Sequence, residues 1–386
     1  MFTNTIYDKI NSIMTFLSRL VECHRGMAGE AMDFNNYGQT VDWASFTFHG
    51  NELPLYQVFQ MLKVTEKEEI AINKMRALCL QAKSEENMRK GLEFIQVHGS
   101  MEELDALINR NLATNQRANV DWAIMYQLVN ERKKYINQPN KDNMQLQELL
   151  EKVKALGEQQ DVELQCLRDF LHVYCYFDMK RYSELGKFTD RLLSSIDQIK
   201  DPLIMELFTT RLDKVIVIYH WKRNEMIIAR KFGYRVLNRT SSAHKKIDMH
   251  NTLALGYLFD NFQQAIYHAN QAKELAENEG FTLALDRINN KTIPFIAAFH
   301  RKTEGITSND PSEQAHLALA NDDVETCVNI LKTMEPLTPF QQYYLGKATR
   351  DEDLLMASYQ RFMKERSDFF FARLPLLELK KLNDTI

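Results

Sequence analysis

The densest chemistry in the chain is a run of bases. Between residues 222 and 246, Lys222, Arg223, Arg230, Lys231, Arg235, Arg239, Lys245 and Lys246 stand against a single acid, Glu225, a net charge of +7 in 25 residues. Cations at that density form a solvated helix face, hold a carboxylate such as the C-terminus of a peptide, or contact nucleic-acid phosphates. They straddle one predicted helix and both of its turns, so some must line the end of any groove that helix borders. A weaker signal lies upstream. MAGEAMDF (27–34) and GQTVDWASF (38–46) read as short helices across the turn Asn35-Asn36-Tyr37, braced by a third, LPLYQVFQML (53–62). That is helix-turn-helix geometry. It would present Asn36, Gln39, Thr40 and Trp43 to base edges, which Gln and Thr can hydrogen-bond. Residues 1–60 hold only Lys9, Arg19 and Arg25 against six acids, a net charge of −3. Phosphate-neutralising charge must therefore come from Lys63, Lys67 and the bases just beyond, or from a second subunit. A plain three-helix cap fits the same residues.

Catalytic patterns are missing. There is no Gly-rich phosphate loop, no HExxH, no GxSxG and no paired Cys/His ligand spacing. His244 and His250 are six apart and do not align on one helix face for a metal. No enzyme activity, cofactor or metal is expected. Five scattered cysteines without a CxxC argue for a reducing cytoplasm. No run approaches the ~18 apolar residues of a membrane span. The first residues carry an acid and a base before their apolar run and no small-residue cleavage site, so no signal peptide is expected.

The elements that must position these groups are helices. The chain has only 13 Gly and 8 Pro in 386 residues, and the spans 55–138 and 203–293 lack Pro altogether, which favours an all-α fold. From about residue 160 one unit repeats: a helix, a short polar break, then a second helix. First helices are expected to open near Asp161, Pro202, Ser242 and Phe281, which lie 41, 40 and 39 residues apart. Second helices are expected near Lys180, Arg223, Asn261, Asp322 and Asp351, each with a small or medium apolar position: Leu185, Ala229, Ala265, Cys327 and Met356. A helix pair of this length cannot bury its apolar face alone, so neighbours stack into a solenoid, an architecture that usually binds rather than catalyses. Capping boxes are expected at Thr65–Glu68 and Ser100–Glu103, with a helix from Ser84 to Gly99 between them. Four zones result: 1–64, the helix-turn-helix region; 65–158, linker helices and the first solenoid helices; 159–365, the repeats; and 366–386, a tail. Residues 301–312 are the most linker-like stretch.

The tail is amphipathic. Leu376, Leu379 and Leu382 recur every three residues beside Leu377, and Pro375 suits a first helical position. Such a helix caps the last repeat, buries itself in a partner subunit, or does both.

The tail also carries a signature. Asp368-Phe-Phe-Phe-Ala-Arg373-Leu-Pro-Leu-Leu-Glu-Leu379 follows Tyr343-Tyr344-Leu345-Gly346-Lys347 at a helix pair's spacing. This resembles the C-terminal signature of the phage arbitrium receptors, the AimR family, in which a YYLKG-like segment precedes a D-x-F-x-x-R-L-P-L-L-E-L run. ENMRKGLEFI, after a Cys-containing helix, and the Trp122-Ala-x-x-Tyr126 helix fit the same family. The resemblance implies a homodimeric transcription regulator of temperate phages or prophages, acting in the bacterial cytoplasm. It also implies a right-handed tetratricopeptide-like solenoid that binds a short secreted signal peptide, with a helix-turn-helix on operator DNA. By position, Asp368 matches a peptide-contacting acid of the family. Thr338, and approximately His244 and Lys245, stand where others often carry Asn or Arg; Arg239 and Asn251 complete the expected peptide site. Leu376, Leu379 and Leu382 fall in the segment the family uses for dimer contacts. The alternative is a peptide-regulated, protein-binding solenoid of the Rap type that does not bind DNA.

Overall fold

The computed structural model describes residues 41–136, 143–240, 242–334 and 336–384. The predicted helix at 27–34 lies outside them, as do Asn36, Gln39 and Thr40. Leading into the repeats are α1 (Leu55–Thr65), α2 (Glu68–Gln81), α3 (Glu85–His98), α4 (Met101–Leu112), α5 (Arg117–Ile136) and α6 (Asn143–Ala155). The repeats pair α7 (Val162–Asp178) with α8 (Gly186–Ile196), α9 (Pro202–Lys222) with α10 (Met226–Arg239), and α11 (Ala243–Gly256) with α12 (Phe262–Asn278). Then α13 (Thr282–Arg287), a π turn (Ile288–Thr292) and α14 (Ile293–Phe299) run on as one rod. It is followed by α15 (Pro311–Ala320) with α16 (Val324–Lys332), α17 (Pro339–Thr349) with α18 (Glu352–Arg366), and α19 (Arg373–Asn383).

Local chemistry explains the period. Asp161, Asp201, Asn261, Asp310, Asp323 and Asp351 each accept a hydrogen bond from an amide in the first turn of the helix they precede. Observed starts of α7, α9, α11 and α13 fall within one residue of the expected positions. Between helices the chain reverses through left-handed residues. Gly280 is one, but Lys180, Asn224, Arg301, Asp322 and Arg350 take the same conformation at φ of 54–63°. Leu185, Ala229, Ala265 and Cys327 are buried where the helices meet, whereas Met356 is 43% exposed and lies off the interface. Among the described residues Cys79, Cys166, Cys175 and Cys327 are buried free thiols, and no helix is long and apolar enough to cross a membrane.

Three local expectations fail. The stretch read as a helix over 38–46 is, in its described part, a 3₁₀ turn at Trp43–Phe46 capped by Asp42. A hairpin pairs Thr47 with Glu52 and Phe48 with Asn51 around His49 and Gly50, both at positive φ, the geometry of a two-residue turn. Trp43 is buried, its indole N–H donating to the Leu78 carbonyl at 2.9 Å, so it packs against α2 and cannot read a base. Thr65 opens no capping box, because it still belongs to α1 and its hydroxyl donates back to the Met61 carbonyl. Ser84 and Ser100 do cap as expected, the latter with the full box to Glu103. Pro375 occupies the third position of α19 rather than the first.

The tail does not simply follow the last repeat. Residues 367–372 fold back to the C-terminal end of α9, where Phe369 N–H donates to the Lys222 carbonyl at 2.8 Å. Lys222 Nζ lies 2.6 Å from Asp368 Oδ2, both side chains fully buried. Phe370 and Phe371 meet Trp221 edge-on, and Phe371 also meets Phe295 and Phe340. Residues 146 apart are thus clasped together.

Candidate functional site

A cleft of about 1140 Å³, open solvent included, lies between the first helices and the middle repeats. On α9, Leu203, Glu206, Leu207, Thr210, Arg211 and Lys214 line it at spacings of three and four, one face of one helix. The C-terminal turn of α3 adds Gln96, Val97 and His98, α5 adds Lys133, and α7 adds Tyr174. Phe59 and Lys63 of α1 and Glu68 of α2 close one side. Opposite, the end of α10 and the start of α11 supply Arg239, Thr240, Ser242, His244 and Lys245. Lys63, Lys133, Arg211, Lys214, Arg239 and Lys245 face only two lining acids, Glu68 and Glu206, so the lining carries an excess of positive charge.

The cations are held from behind. Arg211 lies 2.7 Å from Glu93, which also accepts from the Tyr126 hydroxyl at 2.6 Å. Burial and that carboxylate raise the Tyr126 phenol well above its usual range. Lys133 Nζ donates to Gln96 Oε1 at 2.5 Å, and Arg239 donates to Asp213 at 3.1 Å. Lys63 stacks over Phe59 and lies 3.9 Å from Glu206. His244 Nδ1 is 3.6 Å from Asp248 Oδ2, whose carboxyl is raised by burial against the pull of His244, Lys214 and Arg287. Lys245 is half-buried. Burial, and next to it the charge of Lys214, push its amine down to about 7.

One face of α11 leads onward from this cleft. Asn251, two turns along, accepts from the Thr292 hydroxyl at 2.7 Å. Beyond it Leu255, Arg287, Lys291, Thr292, Phe295, Phe340 and Phe371 line a second space of about 350 Å³.

The residues expected to bind ligand therefore divide. Arg239, His244 and Lys245 converge on the cleft, joined by Lys63, which had been expected on DNA. Lys67 is exposed just before α2. Asn251 is buried beside the second space rather than in the cleft. Thr338 is buried and caps α17, accepting from Gln341 N–H at 3.2 Å while its own N–H donates to Gln341 Oε1. Asp368 is occupied by Lys222 and the Phe371 amide, so in this conformation it holds the tail and does not face the cleft. In the tail helix Leu379 is buried within the chain and Leu382 packs against the core. Leu376 and Leu377 stay about a third exposed, with Phe369 beside them in sequence at 42%. Arg211, Lys214, Lys133 and Gln96 were not expected on sequence. The available signal was Arg211 and Lys214 breaking the apolar rows of α9.

A family model described as AimR transcriptional regulator-like matches residues 71–381. An AimR transcriptional regulator of Bacillus phage SPbeta is 22% identical over 314 residues, 77% of this chain and 76% of that protein. An uncharacterised Bacillus anthracis protein, pXO2-35, is 22% identical over 233 residues, 57% of this chain and 86% of its own length. Among solved structures, phAimR with its ligand superposes with a TM-score of 0.66 at 16% identity, over 85% of this chain and 96% of that one. Selenomethionine phAimR gives 0.61 over 97% and 96%, also at 16% identity. At such identity the structural likeness speaks to the fold, a helical solenoid. The extent of the family match settles the relationship: this chain belongs to the AimR transcriptional regulator-like family.

Proposed function

We propose that the protein is a peptide-responsive, DNA-binding transcription regulator of a temperate phage or prophage, acting in the lysis–lysogeny decision inside the bacterial host. The short secreted signal peptide occupies the basic cleft between α3, α9 and α11. Operator DNA is read by the region 1–64, and two copies associate through the exposed leucines of α19. The observation that carries this reading is the cleft itself: six cations against two acids, inside a solenoid of a regulator family. A peptide there touches the first helices and the middle repeats at once. It can therefore bind one solenoid curvature better than another, and only such differential affinity moves two DNA-reading heads relative to each other. No catalytic role is assigned to the cleft.

The test is a mobility-shift assay of full-length protein on DNA flanking its own gene, with non-specific competitor and with short peptides from the C-terminus of the adjacent small reading frame. A specific shift that one peptide changes is the expected result. A specific shift insensitive to every peptide leaves a DNA-binding regulator without this ligand. The acidic charge of residues 1–60 favours a second reading, a protein-binding solenoid of the Rap type. Absence of any specific shift would select it.

A further inference from the structure

The seam where the tail folds back onto the repeats carries more positive charge than its acids match. Arg132 of α5 is fully buried and bidentate with Asp178, at 2.6 and 3.0 Å, at the end of α7. Lys222 is fully buried with Asp368 at 2.6 Å. Tyr182, buried in the 3₁₀ turn Tyr182–Leu185, feels the charges of Asp368, Arg366 and Asp178 together. Arg366, in the last turn of α18, is the third cation and is only 2% exposed. Among the described residues it makes neither a hydrogen bond nor an ion pair, and its Nη1 is sealed from solvent without an acceptor. The indole N–H of Trp221, which packs against the same tail, is likewise buried without one. Asp368 does not serve Arg366, because Lys222 Nζ donates to its Oδ2 and the Phe371 amide to its Oδ1. Glu365, the other acid in range, is exposed and accepts from Arg361.

A guanidinium does not shed its proton, so Arg366 keeps its charge wherever the fold places it. Three buried cations against two acids leave one positive charge in excess, and in a weakly polar interior such a charge needs a counter-charge. A water molecule accepts an N–H but leaves the charge uncompensated. The walls narrow the choice of anion. Phe362, Phe370, Phe371 and Trp221 pack against one another here, mostly edge-on, and ring edges carry the positive end of the aromatic quadrupole. A compact, singly charged ion suits that setting better than a bulky or divalent one. We infer that a small inorganic anion, of the size and charge of chloride, binds against the Arg366 guanidinium and is part of the clasp between the tail and α9. None of these groups lines the basic cleft, so the inference stands apart from the peptide reading.

The probe is chloride itself, exchanged for gluconate at constant ionic strength so that screening does not change. Full-length protein is unfolded thermally in a series of such mixtures. Expected is a saturable rise of the midpoint with chloride, about 1–3 °C once chloride is about tenfold above its dissociation constant, and bromide should reproduce it. Crystals of the same protein grown in bromide should show its anomalous signal beside Arg366 Nη1. Arg366→Met removes the charge, and its midpoint should be the same in chloride and in gluconate, wherever that midpoint lies. If Arg366→Met does not fold, the position of bromide in the parent protein decides. Equal midpoints of the parent in chloride and gluconate overturn the site and mean that the seam balances its own charge. A bromide signal without a chloride effect is an adventitious ion only, and overturns it as well. A chloride effect that survives in Arg366→Met, or bromide found elsewhere and not at Arg366, places the anion in another part of the molecule and overturns it here.

Discussion

Two lysines from the same basic run end in opposite circumstances. Lys222 is fully buried and has its acid, Asp368, at 2.6 Å; Lys245 is half-buried on the cleft wall and, among the described residues, makes no ion pair. Burial lowers the amine of both; Asp368 opposes it at Lys222 by charge and hydrogen bond, and Glu93 opposes it at Lys245 by charge alone. The difference teaches where to look for structure and where for ligand. A buried charge with a dedicated partner is part of the fold, because removing either member strands the other. A charge on the cleft wall without such a partner is not fixed by the fold in that way.

The sharpest way to break that contrast is to take the partner away. Asp368→Ala leaves Lys222 buried and alone, and should lower unfolding stability by about 3–5 kcal/mol in denaturant titration. Pairing Lys222→Met with Asp368→Leu should recover most of it. A loss under about 1 kcal/mol for the single variant would mean the clasp is not structural. Next comes the opposite change. Because the Lys245 amine is depressed in the folded state, its charged form is what destabilises. That penalty is full below about pH 7 and fades as pH rises toward the ordinary lysine range near 10.4. Lys245→Met should therefore stabilise ligand-free protein by about 1–3 kcal/mol at pH ~6, after allowance for solvent screening, and by progressively less toward pH ~10. A gain independent of pH would remove the titration from the account. The smallest effect sharpens the border of the site. Thr338→Ala removes a helix cap and should cost about 1 kcal/mol while leaving ligand response as in the parent protein. A lost response without lost stability would return Thr338 to the binding site.

What could be read from the chain in advance follows the range of the interactions involved. Caps such as Asp161 and Asn261 act within a few residues of themselves, and the repeat period they mark carried through to the helices. The basic run pointed to Arg239 and Lys245, because density of charge is a local property too. Arg211 and Lys214 were hidden by their setting. They sit in a long, mostly apolar helix, and the partner that fixes Arg211 is Glu93, on α3, far away in sequence. Asp368 was assigned to the ligand by likeness, but its partner Lys222 lies 146 residues earlier and no spacing rule links them. Around Trp43 a helix was expected where Asp42 caps only a single 3₁₀ turn, and the hairpin after it depends on His49 taking a positive φ, which its residue type does not announce.

The clasp between Lys222 and Asp368 also bears on how the protein is made. Each helix pair can form as it is synthesised, since its contacts are mostly with its neighbours in the chain. The lock cannot. Residue 368 is translated 146 residues after its partner, roughly 7–30 s later at ordinary bacterial rates. During that interval the middle repeats exist without Asp368 beside Lys222 and without Phe370 and Phe371 over Trp221. The clasp can close only after the last repeats have been made.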